Sequence, residues 1–234
     1  MRRFTDLQFT NMGTVFGRRT AAAVLVVGVM TMTACGDEQS PGTGSGQAAS
    51  ESVSPSGSAT DADLEARAKS RFLPEDAFPD PWRLSQPPQP GFGLTVCGVD
   101  IEPEDPRGSA RRRFAQSAVG PFLSQYVQAH RDGLADQVVS QVAEALRSCT
   151  SFETKGESPT SPTTRFTIDK VAFADVPANA VVWRMTSQGE RKVTQDIALV
   201  ADGEFLVGFV SYGAGPPPDP AVITTAVNAL PQGD

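Results

Sequence analysis

Residues 192–212 read KVTQDIALVADGEFLVGFVSY, two runs of β-branched, aliphatic and aromatic residues either side of Asp202-Gly203. An Asp-Gly pair between such runs is a strong local signal for a β-hairpin. A two-residue loop at Asp202-Gly203 sets an expected register in which Val200 faces Phe205 and Ala198 faces Val207. Leu199 then meets Leu206 on the opposite side. Both sides are apolar near the tip, so helices are expected over one side and protein or ligand over the other.

Outward from this hairpin the alternation continues. Residues 180–186 predict a strand, 187–190 a turn, and 164–173 an earlier strand. Residues 213–218 (GAGPPP) break the sheet. Asp219-Pro220 then opens a closing helix, with an acidic cap and proline at the first position. Its stripe is Ile223, Ala226, Val227 and Leu230. Upstream, Leu134, Val138, Val142 and Leu146 recur every four residues, which predicts a helix over 134–147 capped by Asp132. Strands are expected at 92–101, 114–120 and 122–130. A short helix over 61–72 and a proline-rich wrap over 73–90, pinned by Phe78 and Trp82, precede them. The pattern predicts an α+β domain: a mostly antiparallel sheet with helices packed on one face and one disulfide.

The front of the chain differs in kind. Arg2, Arg3, Arg18 and Arg19 precede an uncharged run over 20–31 (TAAAVLVVGVMT), too short to span a bilayer comfortably. It ends in Met32-Thr33-Ala34-Cys35, which resembles a bacterial lipobox and implies acylation of Cys35 after removal of residues 1–34. An ordinary secretory signal with an incidental cysteine is the alternative. Residues 36–60 are rich in Gly and Ser, with Val53 the only large aliphatic and no aromatic, and predict a disordered tether. The exported domain is then 61–234, and the membrane partner is reached through the lipid. Residues 35–234 carry 16 basic and 26 acidic groups, a net of −10. That charge excludes a nucleic-acid binder, which needs a basic surface to displace phosphate counterions.

With Cys35 acylated, Cys97 and Cys149 remain, and an even remainder in an exported chain predicts a disulfide. Two buried thiols are the alternative. Val96-Cys97-Gly98, Arg131-Asp132-Gly133, Ala145-Leu146-Arg147-Ser148-Cys149, the hairpin after Asp202-Gly203 and the Asp219-Pro220 helix lie in a particular order. In it the chain resembles the actinobacterial extracellular sensor domains related to the outer portion of PknH-type serine/threonine kinases, a group that includes free-standing lipoproteins. That resemblance, over about residues 72–230, implies a sensor or binding domain without catalytic residues and with no kinase motif. The kinase sensor domain has two disulfides, and this chain has cysteines for one.

Chemistry-bearing motifs are few. His130 is the only histidine, so a Ser-His-Asp or Cys-His centre would have to use it. Gly208-Phe209-Val210-Ser211-Tyr212-Gly213 lacks the spacing of a nucleophile elbow. No phosphate loop, dinucleotide fingerprint or calcium loop occurs, and no catalytic, metal or cofactor site is assigned. Glu102, Glu104 and Asp105 lie in a proline-flanked turn as solvated carboxylates or, less simply, cation ligands. Arg107, Arg111, Arg112 and Arg113 are the one basic concentration in an acidic domain. They fit an anionic ligand or, in the plainer reading, a charged strand edge that resists sheet-to-sheet pairing. The favoured function is a non-catalytic, lipid-anchored envelope domain that binds an unidentified ligand or envelope protein. The alternatives are a lipid or glycolipid carrier, which needs a large apolar cavity, and an envelope hydrolase.

Overall fold

In a computed structural model of the chain, residues 60–88, 95–155, 163–189 and 192–231 are described. Residues 1–34, Cys35 and nearly all of the tether lie outside them. The described residues form α1 (Asp61–Ser70), β1 (Arg83–Leu84), β2 (Thr95–Val96), β3 (Val99–Asp100), β4 (Gly108–Ala115), β5 (Phe122–Ala129), α2 (Leu134–Leu146), β6 (Ser151–Lys155), β7 (Thr163–Asp169), β8 (Ala180–Gln188), β9 (Thr194–Asp202), β10 (Phe205–Tyr212) and α3 (Pro220–Asn228). Eight strands make one antiparallel sheet in the order β1-β4-β5-β10-β9-β8-β7-β6, and β2 and β3 pair separately. The fold is α+β with one disulfide, joining Cys97 to Cys149 with their Cα atoms 6.0 Å apart.

Helices cover both faces of the sheet rather than one. Leu64 and Ala68 of α1 and Ile223, Ala226 and Val227 of α3 pack with Ala198, Val200, Phe205, Val207 and Phe209. On the opposite face, Leu134, Val138, Val139 and Val142 of α2 pack with Trp183, Met185, Ile197, Leu199 and Leu206. The cause is the two-sided apolar hairpin: successive side chains point to opposite faces, so a central strand apolar at every position must be covered twice. That second cover is α2, which the disulfide ties to the β2–β3 hairpin.

The β9–β10 hairpin turns one residue later than Asp-Gly suggests. Asp202 pairs with Phe205, Val200 with Val207 and Ala198 with Phe209, so Gly203-Glu204 is the two-residue loop. Gly203 has φ +61° while Asp202 and Glu204 do not adopt positive φ. That suits a turn with glycine first, whereas Asp-Gly would demand positive φ at both residues. The pairing moves by two, so each side chain keeps its expected face.

Elsewhere, 92–101 is not a single strand: Cys97 (φ 52°) and Gly98 (φ 85°) form the turn between β2 and β3. The strand expected at 114–120 instead runs over Gly108–Ala115, ahead of a turn in which the Ser117 hydroxyl donates to the Gly120 carbonyl at 2.6 Å. Helix α2 starts at Gly133 (φ 78°) with no side-chain cap, so Asp132 does not cap it. Asp219 does cap α3, accepting from the Ala221 amide at 3.0 Å. Strand β7 ends at Asp169, and the short edge strand β6 was not evident in the sequence. Phe78 and Trp82 are buried and their rings lie 5.3 Å apart, fixing the proline-rich wrap against the core as expected.

Candidate ligand-binding surface

The arginine run falls on β4 and its approach, and the strand alternation separates its members. Arg112 shares a face with Ala110 and Phe114, on the α1 side. Its guanidinium donates to the Leu73 carbonyl at 2.6 Å and lies 4.5 Å from the Phe72 ring centre. This arginine ties the chain after α1 to the sheet. Arg111 and Arg113 project from the opposite face, about 7 Å apart along the strand. Arg107 precedes β4, with its amide on the Ala129 carbonyl at 2.8 Å. It lies about 14 Å from Arg111 along the chain. The four arginines therefore do not form one patch, but Arg111 and Arg113 remain neighbours.

The sheet order gives these two arginines their surroundings. Arg111 pairs across β4–β5 with Tyr126, which pairs across β5–β10 with Gly208. Arg113 pairs with Ser124 and Ser124 with Val210. Phe122 pairs with Tyr212, their rings 5.2 Å apart. The Arg113 guanidinium sits 5.1 Å from the Phe122 ring centre, and its Nε donates to Ser85 Oγ at 3.0 Å. Helix α2 lies over β8, β9 and β10, and among the described residues no helix packs on this β4–β5 strip of the same face. At its far end Gln128 Nε2 donates to Glu102.

Arg111 is exposed, and among the described residues its guanidinium makes no hydrogen bond or ion pair. Ser124 is 1% exposed and its hydroxyl has no hydrogen-bond partner there. A buried hydroxyl without a partner costs stability, which marks the position as unusual. Burial pushes the Tyr126 phenol above its ordinary pKa, Tyr212 and Glu102 add to the rise, and Arg111 and Arg113 oppose it. The arrangement offers two cations, a hydroxyl and aromatic rings on a rigid sheet, and no nucleophile–base pair.

The other polar features are structural in geometry. Arg184 and Asp196 form a two-pronged pair in which Asp196 is fully buried. Arg67 of α1 pairs with Glu204 in the hairpin turn and Arg71, just past α1, with Asp202 beside it, and both guanidiniums lie over the Phe205 ring. These groups line an open basin of about 460 Å³. A second groove, about 410 Å³, runs along Arg83, Leu84, Ser85 and residues 115–118. Glu104 accepts from Arg131 at 3.1 Å and Glu102 from Gln128, so both carboxylates have protein partners. Among the described residues no group of three or more His, Cys, Asp and Glu is gathered as a metal centre.

His130 lies at the end of β5, 1% exposed, with neither ring nitrogen hydrogen-bonded among the described residues. Burial depresses its pKa, opposed by Glu104 and Glu102. Ser211 pairs with Leu123, seven residues before His130 and so about 24 Å away along β5. These two residues are not brought together.

Ser124 and the ring pair Phe122–Tyr212 were not singled out in the sequence. They carry no motif: the pairing of β4 with β5 sets Ser124 and Phe122 beside Arg113, and the pairing of β10 with β5, far apart in the chain, adds Tyr212.

Neither a protein-family profile nor a curated protein matches the chain. Among solved structures, the extracellular domain of PknH from Mycobacterium tuberculosis is similar at 15% identity with a TM-score of 0.38. The likeness takes in 51% of this chain and 62% of that one, a loose resemblance over less than two-thirds of that extracellular domain's length.

Proposed function

We propose that the chain is an exported, lipid-anchored binding protein of the cell envelope, without catalysis. In this reading residues 1–34 are a removable signal, Cys35 is acylated, 36–60 is a tether, and 61–234 binds its ligand through the Arg111–Arg113 strip. The observation that carries it is the Cys97–Cys149 bond. It uses two of the three cysteines in the chain, fits an oxidising compartment, and leaves Cys35 as the one cysteine for lipid. A tethered domain of net negative charge is held at an anionic membrane by its acyl chains and not by its surface.

The two-sided apolar hairpin, which suggested a lipid carrier, is covered by α1 and α3 on one side and α2 on the other. A binding domain therefore fits the strip of cations and rings better than a carrier does. Intact-mass measurement of membrane-extracted protein, with and without reductant, tests the reading. The expected result is a chain beginning at acylated Cys35 that gains two hydrogens on reduction. Cys35→Ser is expected to move the protein to the soluble fraction. An intact leader with an unmodified Cys35 overturns the proposal.

A further inference from the structure

We infer that the β4–β5 strip binds a phosphorylated sugar, with Arg111 and Arg113 taking the phosphate and the Phe122–Tyr212 side taking the sugar ring. This rests on the proposed binding role of the strip and names its ligand class.

The cationic half follows from geometry. Arg111 is exposed and free of protein acceptors among the described residues. Arg113 spends only its Nε on Ser85, which leaves its terminal nitrogens unbonded there and its plane steadied by Phe122. Two arginines two residues apart on one strand face leave the backbone about 7 Å apart, a separation that lets one tetrahedral anion accept from both long side chains. An edge that only needed charge to resist pairing would be served by Arg111 alone.

The second half comes from what lies beside the cations. Ser124, between Arg113 and Val210, lies on the same face with its hydroxyl buried and without a partner among the described residues. Phe122 and Tyr212 add ring surface next to Arg113. A bare inorganic anion has no use for rings. A ligand with a charged end and a saturated ring uses both the cations and the rings, because binding sites combine apolar walls with a few placed polar groups.

The test is an amide-shift titration of residues 61–234 in the disulfide-bonded, full-length protein, with glucose 6-phosphate, glucose and inorganic phosphate as separate probes. Glucose 6-phosphate is expected to shift Arg111, Arg113, Ser124 and Phe122 and to bind at least about tenfold more tightly than either fragment. Arg111→Ala is expected to weaken it by roughly tenfold or more, with an unchanged thermal midpoint because Arg111 is exposed. Arg107→Ala serves as the comparison and leaves binding unchanged. The Tyr126 phenol provides an independent signal: a bound phosphate offsets the two cations and raises its titration midpoint further. Equal binding of phosphate and glucose 6-phosphate overturns the sugar assignment. Equal shifts by glucose alone overturn the anion assignment while leaving the strip a binding surface. No shift at the strip with any probe, in protein whose Cys35 is acylated, overturns the inference and leaves the anchoring intact.

Discussion

Arg184 and Asp196 face each other across β8 and β9, with Nε 2.6 Å from Oδ1 and Nη2 2.8 Å from Oδ2. The same Nη2 donates to the Pro218 carbonyl at 2.5 Å, so this pair also holds the start of α3 to the sheet. Burial pushes the Asp196 carboxyl upward while Arg184 pulls it down, and Asp196 in turn holds the guanidinium above its ordinary value. Removing one member of such a pair leaves the other buried and uncompensated. Asp196→Ala is therefore expected to cost about 3–5 kcal/mol in urea unfolding. Replacing both residues with apolar side chains is expected to cost less than the single change.

The disulfide lends itself to a two-step test. Cys97→Ser with Cys149→Ser opens a loop with a sequence separation of 52, which the chain-entropy account values at about 4 kcal/mol. Position 97 also has positive φ, a conformation that asparagine tolerates better than serine. In the protein without this disulfide, asparagine at 97 is expected to recover several tenths of a kcal/mol relative to serine. Denaturant midpoints at equal slope measure both steps.

His130 gives a pH dependence with a definite sign. Its folded-state pKa is depressed by burial below the ordinary 6.5. As pH falls below 6.5 the unfolded chain takes up this proton first, so stability drops until the folded-state value is passed. The unfolding free energy of the wild type is expected to fall between pH 7.5 and pH 5 more steeply than that of His130→Leu. Equal slopes would assign the dependence to other groups.

Gly108 permits a close approach. A Cβ there would sit 2.8 Å from Leu64 Cβ and 3.0 Å from the Glu65 amide nitrogen, so α1 must shift to admit it. Gly108→Ala is expected to destabilise the protein by about 1–3 kcal/mol, as overpacking does. Faster amide exchange in α1 than in α2 would locate the effect.

Most of the architecture was legible because the pattern-bearing segments are long. The repeat from Leu134 to Leu146 fixed α2, and the alternation on both sides of Gly203 fixed the central strands. The second layer of cover was latent in the hairpin's apolar faces, but sequence periodicity does not say which helix fills which side. β6 escaped because five residues with one buried aromatic, Phe152, carry little pattern. The separation of the arginines was hidden for a related reason. With the strand drawn at 114–120, the residues 111–113 read as a loop that could gather its charges. Once β4 runs over Gly108–Ala115, a period of two sends Arg112 to Leu73 and the other two to Tyr126 and Ser124. The place of Tyr212 beside Phe122 depends on β10 lying between β5 and β9, a pairing no local signal announces.

The covalent closure from Cys97 to Cys149 encloses β3, β4, β5 and α2 and leaves β6 to β10 outside. A load pulling on the two termini passes through the sulfur bridge and bypasses everything enclosed. Some 170–180 Å of contour is thereby withheld from extension, so in a stretching experiment reductant should lengthen the fully drawn-out chain by about that amount.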